Sequence, residues 1–187
     1  MSMNYFKASY IINKCEMQFL LNSALNSDAK ITASHPAQYI LDHYLVGGYS
    51  PDDAAASLTY KMLAKKVSGA VVLEPVLSLL VKSVLASDSL WLAAKGNKGE
   101  TTFVLKSNKL FLLAKKYAYI PHTWTITPYK DIEPLAADLR GIAFSEITRI
   151  DKYGAAHSIT EGGAVQASLP LALFSESMGG TDNENIH

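Results

Sequence analysis

The chain has 187 residues, with 17 basic and 17 acidic side chains and one cysteine, Cys15. A chain of this length can bury a core without disulfides, and a single cysteine excludes an intrachain disulfide framework. The balanced charge gives no overall field to attract polyanions, which disfavours nucleic acid and anionic membranes as partners. Because no apolar stretch is long enough to span a membrane and the first residues do not resemble a secretory signal, we expect a cytoplasmic protein without a membrane partner.

The first half of the sequence predicts helices. Apolar residues recur at helical spacing over residues 11–26, and Cys15 falls on the resulting apolar stripe. A second helix is predicted over residues 36–46, because its proline suits a first helical turn and Gly47-Gly48 follows it.

A third helix is predicted to begin at residues 50–53, whose sequence is Ser-Pro-Asp-Asp. The serine can cap the helix, the proline suits its first position, and the helix dipole favours the two carboxylates. At the other end we expect Lys61, Lys65 and Lys66, followed by Gly69 as a left-handed terminal residue.

A short extended piece is predicted at residues 71–73, before a fourth helix. Glu74-Pro75 suits the start of this helix, and the apolar pattern continues to about Ala86.

The hydrophobic period changes at Ser87-Asp88. After this point short apolar runs alternate with turn residues, which is the pattern of β-strands. Residues 96–99, Gly-Asn-Lys-Gly, predict a hairpin turn, and Pro128 is expected to end the last strand. The predicted strands cover residues 90–95, 101–106, 110–116 and 123–127, and they form an antiparallel meander.

The predicted sheet is apolar on both faces. In its third strand Leu110 and Leu112 alternate with Phe111 and Leu113. One face can pack on the helices, whereas the other needs a cover from another segment, a second copy of the chain or a partner.

The pattern weakens after the meander. Residues 131–139 predict a short helix, residues 142–150 fit a strand or a helix, and residues 165–174 are a strand candidate interrupted by Pro170. We therefore predict an α+β fold, with N-terminal helices packed on an antiparallel β-meander, a further short helix and an irregular C-terminal region. It forms one domain over residues 1–174, with a possible helical subdomain 1–87 and a β-rich subdomain 88–174, and residues 175–187 form a disordered tail.

Cys15, the only cysteine of the sequence, is a candidate nucleophile. It could pair in space with His35, His43, His122 or His157. Its position on an apolar helical stripe favours an inert buried thiol instead.

Metal and cofactor motifs are also missing from the sequence. His35 and His43 are eight residues apart, whereas two ligands on one helix need a spacing of three or four. The helix dipole alone accounts for Asp52-Asp53, and the glycines at 96–99 lie between strands rather than before a helix. We predict no catalytic, cofactor-binding or metal-ligating residue and no cofactor.

A winged-helix, DNA-binding regulator is one alternative. Residues 50–92 could supply a helix, a short extended piece, a second helix and the start of a hairpin, with Lys61, Lys65 and Lys66 on phosphate and the loop around Lys98 as the wing. Nucleic acid is nevertheless disfavoured as a partner, because the helix dipole explains the three lysines and no set of Arg, Asn or Gln is placed to read base edges.

Several segments resemble the cytosolic substrate-binding chaperones of type VII secretion and related secretion-associated proteins of Gram-positive bacteria. They are residues 55–65 (AASLTYKMLAK), 72–77 (VLEPVL), 90–92 (LWL) and 103–105 (FVL), followed by 124–128 (WTITP) and the helix at 131–139. The similarity covers residues 54–139. The chain differs in its shorter length and at its N-terminus, where those chaperones usually begin with strands. The resemblance implies a non-enzymatic protein that binds a helical secretion substrate or partner and keeps it soluble.

We therefore predict a non-enzymatic protein-binding module, a cytosolic chaperone or adaptor that holds a secreted or partner protein, or a homodimer. The contact or core candidates are Trp91, Phe103, Phe111, Leu113 and Trp124. An enzyme whose site is not evident in the sequence is the remaining alternative, motivated by the five histidines and by residues 143–174.

Overall fold

The computed structural model describes residues 9–27, 35–86, 89–96, 99–108, 110–140, 142–159 and 165–166 of the chain. Its described helices are α1 (Lys14–Asn26), α2 (Pro36–His43), α3 (Pro51–Tyr60), α4 (Pro75–Val84) and α5 (Ile132–Leu139). Its described strands are β1 (Tyr10–Asn13), β2 (Ala64–Val67), β3 (Ala70–Leu73), β4 (Leu90–Gly96), β5 (Thr101–Lys106), β6 (Phe111–Lys116), β7 (Thr123–Tyr129), β8 (Ala143–Ile150), β9 (Ala156–Ile159) and β10 (Val165–Gln166). The predicted α+β class is confirmed.

One antiparallel sheet contains eight of the described strands. Its order is β1-β7-β6-β5-β4-β8, and β9 and β10 both pair with β8. The neighbours β4, β5, β6 and β7 follow chain order, which confirms the predicted meander. The strands β2 and β3 form a separate two-stranded sheet.

The helices α1 to α4 cover one face of the main sheet. Trp91, Phe103 and Trp124 lie on this face and belong to one cluster with the buried side chains of these helices. Aliphatic residues of α1 and α4, such as Leu21 and Leu80, meet the aromatic rings there. The larger of two cores therefore lies between these helices and the sheet.

The other face of the sheet is covered by α5. Leu135 and Leu139 of this helix cluster with Leu92, Val104 and Leu113 of the strands. From the sequence, this face could be covered by another segment, a second copy of the chain or a partner. In the structure a segment of the same chain, α5, packs on it. The Tyr129 hydroxyl adds a hydrogen bond to the Asp138 carboxylate, and burial raises the pKa of this tyrosine.

The end of the third helix differs from the prediction. The helix ends at Tyr60, and Met62 takes a left-handed conformation, with φ of 60°. Lys65 and Lys66 lie on β2 instead of the helix, and Gly69 belongs to the turn between β2 and β3. Lysines suit both an exposed strand and a helical C-terminus, so their position in the sequence does not separate the two structures.

The first helix begins later than predicted, because a capping box fixes its start. The Asn13 side chain accepts from the Glu16 amide at 2.9 Å, and the Glu16 carboxylate accepts from the Asn13 amide at 2.8 Å. Residues before Asn13 therefore extend as β1 and pair with β7. The buried stripe of α1 runs through Met17 and Leu20, and Cys15 is only half-buried.

Pro128 lies inside β7 and does not end it. This proline pairs with Leu112 of β6, whereas the pairing with β1 extends only to Ile126. Pro128 thus lies beyond the part of β7 that pairs with β1. Its missing amide hydrogen therefore costs no hydrogen bond to β1, and the strand continues to Tyr129.

The predicted hairpin is confirmed by the antiparallel pairing of β4 with β5, by the bond from the Gly96 amide to the Glu100 carbonyl, at 2.7 Å, and by a φ of 78° at Gly99, while Asn97 and Lys98 lie outside the described residues. The ambiguous stretch 142–150 forms the strand β8. Only Val165–Gln166 of the candidate strand at 165–174 is described, as β10. Ser87-Asp88 and the tail at 175–187 lie outside the described residues.

Candidate functional sites

The five predicted contact residues lie in the two cores. Trp91, Phe103 and Trp124 are buried on the helix side, with ring centroids 6.5 Å apart for Trp91 and Phe103 and 6.0 Å apart for Phe103 and Trp124. Leu113 is buried and Phe111 half-buried on the α5 side. Their role in binding a partner stays a prediction, and it would require the helices or α5 to move.

A small apolar cavity adjoins the aromatic rings on the helix side. Its volume is about 40 Å³, and its lining consists of apolar side chains of α1, α4 and the sheet, among them Trp91. The Trp91 Nε1 donor is buried without a hydrogen-bond partner in the part of the chain that the structure describes. Cavities with apolar walls stay dry, so this one offers room for packing changes and no polar chemistry.

Glu16 forms the most buried charged contact of the described residues. Its side chain is 0 % exposed, and it accepts from the Ser57 hydroxyl at 2.6 Å and from the Lys61 ammonium at 2.7 Å. Lys61 also donates to the carbonyl of Ile11 at 3.1 Å. The carboxylate connects α1, the end of α3 and β1. Its hydrogen bonds and its ion pair explain why a charged group is buried at this position.

Cys15 and His43 each have local partners. The Cys15 thiol donates to the Ser50 carbonyl at 3.2 Å. The His43 ring stacks on Tyr39, with centroids 3.9 Å apart. Within the described ranges no group of three or more His, Cys, Asp or Glu residues is placed to hold a metal ion.

His35 caps the second helix. Its Nδ1 accepts from the Ala37 amide at 3.1 Å, which requires this nitrogen to be unprotonated. Burial lowers the pKa of His35, and a hydrogen bond with the backbone of Val84 acts in the opposite direction. The neutral form of the histidine therefore connects α2 to the end of α4.

An exposed apolar surface lies on and beside the β2–β3 sheet. We call it the hairpin surface and define it by Tyr60, Met62, Lys65, Val67 and Val72. Tyr60 is 89 % exposed and Met62 is 87 % exposed, and the two valines are exposed as well. Lys65 stands opposite Val72 in the register of the two strands. The sequence pattern did not indicate this surface, although the pair Ser68-Gly69 before the β-rich Val71-Val72 was a visible turn signal.

A polar cleft lies between α1, α2 and the loop 44–50, and we call it the α1–α2 cleft. Its volume is about 330 Å³. Its polar lining residues are Gln18, Asn22, Gln38, Asp42 and Tyr49. Burial is the main cause that raises the pKa of Tyr49, with proximity to Cys15 as a second cause, so its hydroxyl is protonated near neutral pH. No sequence motif marks this cleft, because it depends on how two helices pack.

Comparison with models of protein families and with curated protein sequences found no match. Among the helices that the structure describes, none combines the length and the apolar character needed to cross a membrane.

Proposed function

We propose that the chain is a non-enzymatic protein-binding module, an adaptor or chaperone that holds a partner protein on the hairpin surface. The observation that carries this proposal is the almost full exposure of two large apolar side chains, Tyr60 and Met62, which precede β2 in the chain, together with the exposure of Val67 and Val72 on the hairpin itself. Exposed groups of large apolar side chains are typical of protein contact sites. Tyrosine and methionine are also among the residues enriched at interfaces.

The charges beside the hairpin surface define the partner's chemistry. Lys65 is exposed on the face of β2 that carries Val67, Lys66 is exposed on the opposite face, and Lys61 is held by buried Glu16. A partner segment that combines apolar side chains with Asp or Glu would match the apolar and cationic groups together. An amphipathic helix with acidic flanks fits this description.

The resemblance to type VII secretion chaperones supports the same proposal. It implies a helical secretion substrate, which agrees with the chemistry of the hairpin surface. The strand β1 before the first helix also reduces one difference between this chain and those chaperones. We propose a cytosolic location on the same basis.

Winged-helix DNA binding is the second candidate, because α2, α3 and the β2–β3 hairpin follow one another in the order of that motif. The wing would then be the hairpin with Lys65 and Lys66, and not the loop at Lys98. Against this function, Asp52 and Asp53 occupy the first turn of α3, where a recognition helix meets the anionic duplex. An enzyme has less support, since the α1–α2 cleft combines an exposed carboxylate with a protonated tyrosine and no nucleophile beside a base.

Photo-crosslinking can test the protein-binding proposal. A photoreactive phenylalanine analogue would replace Tyr60 in one sample and Tyr119 in another, because Tyr119 is also a highly exposed tyrosine, at 84 %. In lysate of the source organism we expect one discrete crosslinked protein from position 60 and none from position 119, and mass spectrometry would identify it. Met62→Ser should weaken its binding about tenfold, the cost of one lost apolar anchor.

Crosslinks of equal pattern from both positions, or none from position 60, would sink the proposal. A parallel titration with duplex DNA at two salt concentrations addresses the second candidate. Salt-dependent binding that is lost in Lys65→Ser/Lys66→Ser would favour the winged-helix function instead.

A further inference from the structure

Met62 takes a backbone conformation in which glycine is the usual residue. The amide of Leu63 donates to the carbonyl of Leu58 at 2.8 Å. The amide of Met62 donates to the carbonyl of Thr59 at 3.0 Å. These two bonds form the Schellman motif that ends α3, and Met62 is its left-handed residue, with φ of 60°. A residue with a β-carbon is strained in this conformation, whereas glycine adopts it freely.

Packing does not explain a methionine at this position. The structure describes two of the five methionines in the sequence, Met17 and Met62. Met17 is 5 % exposed and belongs to the core on the helix side, so its side chain fills space there. Met62 is 87 % exposed, so little of its side chain packs on the chain. The fold therefore gives no reason for a thioether at position 62, and its effect must be sought in contacts outside the chain.

Met62 is also the most accessible sulfur group of the described residues. A peroxide must reach the sulfur atom to react with it, so exposure selects Met62 over Met17. The thiol of Cys15 is half-buried and donates to the Ser50 carbonyl at 3.2 Å. An oxidant in solution therefore meets one fully accessible thioether in the part of the chain that the structure describes.

Oxidation of a thioether by a peroxide is a two-electron oxygen transfer. The sulfur donates an electron pair to one peroxide oxygen while the O–O bond breaks, so hydrogen peroxide becomes water and methionine becomes its sulfoxide. The product is polar, whereas the thioether is apolar. Methionine sulfoxide reductases reverse the step, releasing the oxygen as water while a pair of thiols is oxidised to a disulfide.

This reaction would change the hairpin surface at one of its two most exposed side chains. Tyr60 is 89 % exposed and Met62 is 87 % exposed, so both are open to a partner. A partner that buries the thioether would have to bury a sulfoxide oxygen after oxidation, which costs free energy unless the partner supplies a donor. The backbone bonds that end α3 do not involve the sulfur, so oxidation leaves the fold intact.

We propose that Met62 is a redox-sensitive modification site, whose oxidation by a peroxide releases the partner from the hairpin surface. The inference rests on the proposed function and adds a form of regulation to it. The chain holds its partner while Met62 is a thioether and releases it when peroxide accumulates. Enzymatic reduction of the sulfoxide restores binding.

Peptide mapping by mass spectrometry tests the modification on the full chain alone. After treatment with hydrogen peroxide, we expect sulfoxide to form at Met62 at least about tenfold faster than at Met17, because access to the sulfur differs. In guanidinium chloride the chain is unfolded, and the two rates should become similar. The circular dichroism spectrum of the oxidised chain should match that of the untreated chain.

Photo-crosslinking tests the effect on binding. Two chains carry the photoreactive phenylalanine analogue at position 60, one with Met62 and the other with Met62→Leu, which has a similar volume and no sulfur. Each is treated with peroxide, freed from it and compared with its own untreated sample in desalted lysate. With Met62, treatment should lower the yield of crosslinked protein about tenfold, and methionine sulfoxide reductases should restore it. With Met62→Leu, treatment should leave the yield unchanged.

Four results would overturn the proposal. Equal oxidation of Met62 and Met17 in the folded chain would show that exposure does not select this sulfur. An unchanged yield after oxidation of Met62, or an equal loss in Met62→Leu, would reject the regulation and leave the proposed function in place. Absence of a crosslink from the untreated chain would instead reject the proposed function together with its regulation.

Discussion

The two faces of the main sheet are buried in different ways. Four helices cover one face, around Trp91, Phe103 and Trp124, whereas the eight-residue helix α5 packs on the other with aliphatic side chains. Several helices must fit one another as well as the sheet, and a cavity of about 40 Å³ persists among them. A single short helix has few tertiary contacts to hold it, so α5 should detach at a lower free energy than the helices of the first face.

The largest expected effect comes from the centre of the helix side. Phe103→Ala removes the ring that contacts both tryptophans and should lower the free energy of unfolding by about 3 to 5 kcal/mol. Urea denaturation followed by circular dichroism measures this change. A loss below about 1 kcal/mol would show that the aromatic cluster does not hold the two layers together.

The matching change on the other face is Leu135→Ala. This side chain is fully buried against the strands, so its truncation should cost about 2 to 4 kcal/mol. The comparison predicts that amide hydrogens of α5 exchange faster in this variant while those of α1 remain protected. Ala137→Ser, at an exposed position of the same helix, is the control and should change stability by less than about 0.5 kcal/mol. Equal acceleration of exchange in α1 and α5 would mean that the two faces unfold as one unit.

Lys61→Met tests the polar contact within the helix layer. The substitution leaves the Glu16 carboxylate buried without its cation, and because Lys61 is partly exposed we expect a loss of about 1 to 3 kcal/mol. Exchange should increase in α1, α3 and β1 but not in α5. Glu16→Gln combined with Lys61→Met should recover part of the loss, since no unpaired charge is left. A double variant no more stable than Lys61→Met would argue against the buried charge as the cause.

Much of this architecture follows from local sequence signals. The alternation of β-rich runs with turn residues predicted β5 with the bounds that the structure shows. Glu74-Pro75 correctly indicated the start of α4. The strand β8 was ambiguous because isoleucines at its spacing suit a strand and a helix equally. Its partner β4 decides the structure, and this contact is visible only in three dimensions.

The edge strand β1 shows the same limit. Tyr10 pairs with Ile126, far along the chain, so no local pattern could reveal the pairing. The spacing of Asn13 and Glu16 was the available sign that the helix starts later, since it matches a capping box. The aromatic contact candidates could be identified as important from their residue types, but their burial depends on which helices pack over them. The α1–α2 cleft depends on the burial of Gln18, a residue without any motif around it.

The smallest effect should come from the acid titration of the helix layer. The pKa of His35 is lowered from its ordinary value of 6.5, so the unfolded chain takes up a proton at a higher pH than the folded one does. The contribution of neutral His35 is therefore complete above about pH 6.5 and is lost as the pH falls toward the lower folded pKa. Urea denaturation at several pH values should show this loss, and His35→Asn, which retains a capping side chain that does not titrate, should reduce the slope. Hydrogen exchange at low pH should increase in α2, where protonation removes the bond to the Ala37 amide, and not in α5. An equal increase in both helices would break the contrast between the two faces, because the histidine contacts only one of the two layers.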